Sequence, residues 1–297
     1  MTDSSLPKVS IVIPCYEAHA FVVDAVGCAL AQTYPNFEVI IAPDDGDNYT
    51  FLREIYPSPA LKILSPHTTR QTGAGATRNR AIEAASGDYF ATLDADDLIP
   101  VDYIDRLASV ARIEGAAVAP TSYVRWGTQE LVRSPAITGS RLDLRGLGKL
   151  LCSMLPMVHR SLEPGFTDGF AEDVLRAGLI IAKAGGITVV KETSYFARIR
   201  QGSACSPDDN SEHVIQLAYA TRQEQILTRP SELGAHVLTR KSRIELAELF
   251  EFRAYASQKF SESGADCYNA WAAHQEQALW WAFMADRTFS NGKNSAA

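Results

Sequence analysis

Asp94, Asp96 and Asp97 stand almost side by side near the end of the run Gly87-Asp-Tyr-Phe-Ala-Thr-Leu-Asp-Ala-Asp-Asp-Leu-Ile-Pro100. Tyr89 to Leu93 reads as a short buried strand, entered from a helix that Gly87 closes. The carboxyl ends of strands in open α/β sheets are where such folds bind ligands. Carboxylates this close repel one another. A hard divalent cation with oxygen ligands, Mg²⁺ or Mn²⁺, supplies the counter-charge and can in turn grip a diphosphate. The plainer reading is a solvated acidic turn ahead of a helix, with Asp102 as its N-cap. A second acidic pair, Glu172-Asp173, opens a later helix from Val174 to Ala184, which Gly185-Gly186 ends. A helix N-terminus favours the ionised carboxylate, so capping alone accounts for that pair at this level.

The elements that must position these groups follow in order. Val9 to Ile13 is a mostly β-branched run ended by Pro14, as in a central parallel strand. Val22, Val26, Ala29 and Leu30 recur at helical spacing between Phe21 and Gln32. Phe37 to Ala42 gives a second strand, with Asp44-Asp45-Gly46 in the loop beyond, and Leu61 to Leu64 a third. Gly73-Ala-Gly75 opens a helix to about Ser86 that carries Arg78. Strands alternating with helices at this spacing specify a parallel, doubly wound sheet. The turns after strands one, two and four then lie along one edge, so Tyr16, Glu17, Asp44, Asp45, Arg78, Asp94 and Asp96 converge on one cleft. Each has a duller alternative: a packed aromatic for Tyr16, an Asx turn at Asp44 and Asp45, a surface ion pair for Arg78.

The N-terminal half resembles the family 2 glycosyltransferases of the GT-A fold. The resemblance rests on Val9-Ser-Ile-Val-Ile-Pro-Cys-Tyr16, Gln32-Thr-Tyr-Pro-Asn-Phe-Glu38, Asp44-Asp-Gly46, Ala76-Thr-Arg-Asn79 and Leu93-Asp-Ala-Asp-Asp97. It implies a mostly parallel, doubly wound, Rossmann-like sheet flanked by helices. It also implies metal-dependent inverting transfer of a sugar from a nucleotide-diphosphate donor, a UDP-sugar for preference, to a hydroxyl of a glycan or lipid-linked acceptor. Pro14, Tyr16, Glu17, Asp44 and Asp45 would border the base and ribose, with Arg78, Asp94 and Ala95 near the nucleotide. Asp94 and Asp96 would hold Mn²⁺ or Mg²⁺. Asp173 would be the general base, with Glu172 supporting it and Asp168 a weaker candidate. One departure is local: Pro43 stands where the family places its first aspartate. Either a bulge at Pro43 restores the register or Asp44 fills the second aspartate's place. Arg200 stands near the position of a metal-binding histidine. Arg cannot ligate a metal, so Arg198 or Arg200 is expected on phosphate instead.

The boundaries implied are a catalytic domain over 1–205, with a nucleotide half at about 8–100 and an acceptor half at about 101–205, and a C-terminal helical extension over 206–297. Residues 120–150 read as loops carrying Trp126, Arg133, Arg141 and Arg145, and Pro156 to Arg160 as a strand edge lining the cleft, with His159 structural. Ser206 to Ser211 reads as a linker. The apolar faces of the last helices would pack on the catalytic domain, join a homodimer or touch a membrane surface. Two further classes stay open. A sugar nucleotidyltransferase would want a Gly-rich basic loop after strand one, where Pro14-Cys-Tyr-Glu17 stands, and an inactive scaffold would not need Asp94, Asp96 and Asp173.

The chain has 297 residues, 46% hydrophobic and 21% charged, as in ordinary globular proteins. A net charge of −7 without a basic stripe argues against nucleic-acid binding. Five scattered cysteines without a Cys-x-x-Cys pair suggest free thiols, and the absence of a leader-like or spanning apolar run suggests a cytoplasmic protein.

Overall fold

β1 (Val9–Cys15) is buried along nearly its whole length, as a β-branched run between two parallel neighbours must be. The computed structural model describes residues 6–66, 72–200, 211–265 and 268–294. From β1 the chain alternates through α1 (Val22–Leu30), β2 (Phe37–Pro43), α2 (Phe51–Ile55), β3 (Leu61–Ile63), α3 (Ala74–Glu83), β4 (Tyr89–Thr92), α4 (Tyr103–Glu114) and β5 (Ala116–Val118). β2 and β4 flank β1 in parallel and β3 joins β2, the doubly wound arrangement expected from the alternation. Then come β6 (Thr121–Arg125), β7 (Leu131–Arg133), β8 (Arg141–Leu142), α5 (Leu144–Lys149), β9 (Met157–His159), α6 (Glu172–Ala184), β10 (Ile187–Val189) and β11 (Tyr195–Ile199).

The main sheet runs β3-β2-β1-β4-β9-β5-β10-β8, and β11-β6-β7 forms a smaller one. The stretch read as loops, 120–150, is therefore two short strands, a third at the sheet's edge, and a helix. Arg133 is buried and bonded to the Leu150 and Leu151 carbonyls and to Glu276, while Arg141 pairs with Glu114 at 3.0 Å. β9 also departs from expectation. It is not an edge lining the cleft but lies antiparallel between β4 and β5, with Val158 opposite both Phe90 and Ala116. Met157 and Val158 are fully buried, which a strand covered on both sides requires. His159 stacks edge-on against Tyr89 at 5.0 Å and its Nδ1 lies 2.8 Å from Ser161 Oγ, a structural position.

Gly87 does not close α3. That helix ends at Glu83, and its cap, Ala84, keeps a right-handed conformation. Gly87 is small because β1 passes against it: a Cβ there would stand 2.5 Å from Ser10 Oγ, 2.8 Å from Ser10 N and 2.9 Å from Lys8 O. Asp102 occupies the N-cap position of α4 without a side-chain cap bond, and pairs instead with Arg106 at 2.5 Å.

α7 (Ser211–Thr228), α8 (Arg240–Ser263) and α9 (Tyr268–Asn294) complete the chain. Thr239 opens α8 by accepting the Ser242 N–H at 3.1 Å. Leu246, Leu249 and Phe250 of α8 enter the same buried cluster as Val12 and Ile40 of the sheet. Among the apolar residues of α9, Leu279 and Phe283 are buried while Trp281 remains 65% exposed. The linker expected at Ser206 to Ser211 lies, up to residue 210, outside the described residues, as do Cys205 and Cys267. Cys15, Cys28 and Cys152 are free thiols. Among the described residues no helix is long and apolar enough to cross a membrane.

Because the atoms a side chain would meet at Gly87 are mostly backbone, Gly87→Ala forces β1 and β4 apart. We expect it to destabilise the chain by about 1–3 kcal/mol, read as a lowered urea midpoint at unchanged slope.

Candidate functional site

The carboxyl ends of β1, β2 and β4 open on a cavity of about 550 Å³. Of the residues singled out from sequence, Pro14, Tyr16, Asp44, Arg78, Asp94, Ala95, Asp96, Glu172 and Asp173 line it. Glu17 and Asp45 do not. The Asp45 carboxylate accepts the Glu17 N–H at 2.8 Å and the Tyr49 hydroxyl at 2.6 Å, so the two brace the β1 turn from outside the lining. Burial pushes the Asp45 carboxyl up, but the hydrogen bonds led by Tyr49 outweigh it and hold the group below its ordinary value. The β1–β2 register continues unbroken to Cys15 opposite Pro43, so no bulge restores an aspartate there. Asp44 is the acid that reaches the cavity. It is buried, and it accepts the Thr72 hydroxyl at 2.6 Å and the Gly73 N–H at 2.9 Å.

Gly73 enters α3 at a φ of 91°, which glycine adopts without strain. Gly75 lets the helix start against the loop before α6, since a Cβ there would stand 2.5 Å from Thr167 O. One turn on, Arg78 reaches across the cavity floor. Its two terminal nitrogens donate to Asp94 Oδ1 at 2.6 Å and to Glu172 Oε1 at 2.7 Å, and its guanidinium lies 5.1 Å from the Phe166 ring centre. Burial alone would lower the arginine's pKa, yet Asp94 and then Glu172 push it above its ordinary value, so it is cationic throughout. Burial, then Asp173, raises Glu172 above the usual carboxylate range despite that arginine.

The three neighbouring aspartates have different fates. Asp94 meets Arg78. Asp96 Oδ2 accepts from Arg200 Nε at 2.9 Å, and that guanidinium lies 4.5 Å from the Phe21 ring centre. Asp97 points inward, accepting the Tyr195 hydroxyl at 2.7 Å and the Arg198 N–H at 2.8 Å. Burial first, then Asp94 and Asp96, hold it well above the carboxylate range. Tyr195 in turn accepts the Asp94 N–H at 3.0 Å, which fixes the turn carrying all three acids. Tyr195 was missed from sequence, since a lone tyrosine on a distant strand announces no partner. Arg198 does not face a phosphate site: it is buried, bonded to Asp24 at 2.9 Å and to the Asp96 carbonyl, and stacked 4.1 Å from the Trp126 ring centre.

The loop before α6 is held from three sides. Asn79 brackets Phe166 through its N–H and carbonyl, at 2.7 and 2.8 Å. Arg176 and Glu163 form a buried pair at 2.5 Å. Arg222 of α7 donates to the Asp168 and Phe170 carbonyls. Ala171 then turns with a φ of 61°, so α6 starts at Glu172, earlier than Val174, and both acids sit in its first turn. Arg176, Arg222, Phe170 and Tyr219 carried no motif to betray them. Asp168 lines the cavity.

Among the described residues no group of three or more His, Cys, Asp or Glu is placed to hold a metal ion. Asp94 and Asp96 on one wall are two hard carboxylates. Each already accepts from an arginine, Arg78 and Arg200, yet as two hard oxygen donors the pair would suit Mg²⁺ or Mn²⁺, so the donor set fits that group.

A family model described as "Glycosyl transferase family 2" matches residues 10–161. The amylovoran biosynthesis glycosyltransferase AmsB of Erwinia amylovora is 40% identical over 111 residues, 36% of this chain and 36% of AmsB. The succinoglycan biosynthesis protein ExoO of Rhizobium meliloti is 32% identical over 219 residues, 67% of this chain and 62% of ExoO. The chain thus spans less than two thirds of the length of these curated relatives. Among solved structures, residues 1–349 of S. aureus TarS in complex with UDP-GlcNAc superpose with a TM-score of 0.62 at 22% identity, over 92% of this chain and 78% of that one. That likeness is one of fold.

The raised Glu172 has a thermodynamic signature. Its carboxyl keeps its proton to higher pH when folded, so its favourable share is complete below about pH 4.5 and is lost as the pH climbs through the raised folded value. Relative to Glu172→Gln, the native chain should lose stability from about pH 4.5 towards neutrality. Urea midpoints of both across that range check this, and a constant gap overturns it.

Proposed function

The chain belongs to the family 2 glycosyltransferases, and on that premise we propose that it transfers a sugar, with inversion, from a UDP-sugar to a hydroxyl of a glycan or lipid-linked acceptor. The observation that carries the reading is the cavity itself. Asp94 and Asp96 enter it from the turn after β4, and Glu172 and Asp173 from the first turn of α6, with Arg78 between Asp94 and Glu172. An inverting transfer needs such opposed groups: the leaving diphosphate on one side, a base for the acceptor on the other.

Tyr16, 46% exposed on the cavity rim, would face the base, and Asp44 would accept from it. Asp94 and Asp96 would hold Mn²⁺ or Mg²⁺, which supplies positive charge opposite the diphosphate. Arg78, joined to both Asp94 and Glu172, keeps the two walls at a fixed separation. Asp173 takes the proton of the acceptor hydroxyl. That oxygen forms its bond to the anomeric carbon from the face opposite the breaking bond, and the nucleoside diphosphate departs with the bonding pair. Glu172, occupied by Arg78, orients rather than deprotonates. The names of AmsB and ExoO, both tied to polysaccharide biosynthesis, support a saccharide-assembling role, and the UDP-GlcNAc complex of TarS supports a UDP-sugar donor.

Two measurements test this. Asp173→Asn should keep UDP affinity while lowering turnover by about 10²–10⁴-fold, the range for a lost general base. Unchanged turnover, or loss of UDP binding, would reassign Asp173. Calorimetric titration with UDP and with GDP, each with and without Mn²⁺, should give UDP binding that the metal strengthens and that Asp96→Asn uncouples from the metal. A GDP preference would overturn the reading of Asp44.

A further inference from the structure

We propose that the acceptor end of the cavity selects an uncharged saccharide over an anionic one. This rests on reading the cavity as a sugar-transfer site and adds the chemical class of the acceptor.

Among the described residues the lining carries six acidic side chains, Asp44, Asp94, Asp96, Asp168, Glu172 and Asp173, against a single cationic one, Arg78. Arg78 is already engaged, to Asp94 at 2.6 Å and to Glu172 at 2.7 Å. Asp44, Asp94 and Asp96 lie on the nucleotide side, where a bound cation would offset them. At the other end, Asp168 and Asp173 face the cavity with no second cation among the described lining residues. Arg222 is near in space and its charge acts on Glu172 and Asp168, but it is buried and its guanidinium is committed to the Asp168 and Phe170 carbonyls and to Gln225 rather than to the lining. A carboxylate or phosphate on the acceptor would meet like charge there, with no cation on the described lining to pair with.

The remaining groups fit a neutral sugar. Phe170 and Tyr219 stand edge to face at 5.6 Å, both half-buried and both on the cavity wall, and offer an apolar surface for the C–H face of a pyranose. The side-chain oxygens of Asp168 can accept hydrogen bonds from sugar hydroxyls. A separate sign of a missing ligand is on Arg78. Its Nε has no hydrogen-bond partner among the described residues although the residue is 5% exposed, and a buried donor of this kind calls for an oxygen that the protein does not supply.

The test is a matched pair of probes differing at one carbon: a methyl hexopyranoside and the corresponding methyl hexopyranosiduronate. Binding of each to the full chain in the presence of UDP is read by saturation-transfer NMR. The neutral glycoside should bind about tenfold or more tighter than the uronate, the size expected of uncompensated like charge. Asp168→Asn should narrow that gap severalfold. The side chain is exposed and Arg222 uses its main-chain carbonyl, so the variant keeps the loop intact, which circular dichroism verifies. A uronate preference, equal binding, binding of neither probe, or a gap unmoved by Asp168→Asn overturns the proposal. UDP titration of the same samples separates the two readings. Lost UDP binding with the saccharide preference intact sinks the donor assignment alone, and the reverse pattern sinks this inference alone.

Discussion

A guanidinium buried to 5% exposure cannot stand without counter-charge, and Arg78 has two. The planar fork of arginine lets one side chain face two carboxylates at once, which a lysine's point charge cannot reproduce. One of these carboxylates belongs to the turn after β4 and the other to the first turn of α6, elements far apart in the chain. The pairing therefore does more than neutralise. It ties the turn after β4 to the start of α6 across the cavity. Removing Arg78 would leave both carboxylates without their counter-charge, whereas removing one carboxylate would leave the arginine paired with the other alone.

Around that fork, three neighbouring aspartates of one residue type acquire three electrostatic settings. Asp94 is held by Arg78, Asp96 by Arg200, and Asp97 by a tyrosine hydroxyl and a backbone amide in an interior that disfavours its charge. Tyr195 is the hinge of this division, accepting from Asp94 while donating to Asp97. Carboxylates that would repel in an open turn are in this way separated by orientation, two to the cavity and one away from it.

Much of this was legible in the residues. The β-branched runs at Val9 and Phe37 and the short apolar run at Tyr89 are local signals for buried strands, and they fix which turns share an edge. Asp44, Arg78, Asp94 and Asp96 could be brought together on that ground alone. What escaped depends on pairing at a distance. Nothing in Pro156 to Arg160 distinguishes an edge strand from one inserted between two others. Arg198 and Arg200 look alike in sequence, yet alternation on β11 and the residues past its end bury the first and leave the second beside Asp96. Gly87 read as a helix stop because glycine's commonest use is conformational. Here its use is steric, and only the neighbouring strand reveals it.

The insertion of β9 between β4 and β5 also governs how the chain can be made. A ribosome delivers residues in order, so β1, β2, β3 and β4 can assemble early, but the far edge of β4 has no partner until residues 157–159 appear. At about 5–20 residues per second, the 64 residues between them, 93–156, take on the order of 3–13 seconds to synthesise. For that interval a fully buried-type strand presents an open row of backbone donors and acceptors, the kind of edge that pairs with another nascent chain. The strand that joins the two halves of the main sheet is thus also the one whose late arrival sets the window for aggregation during translation.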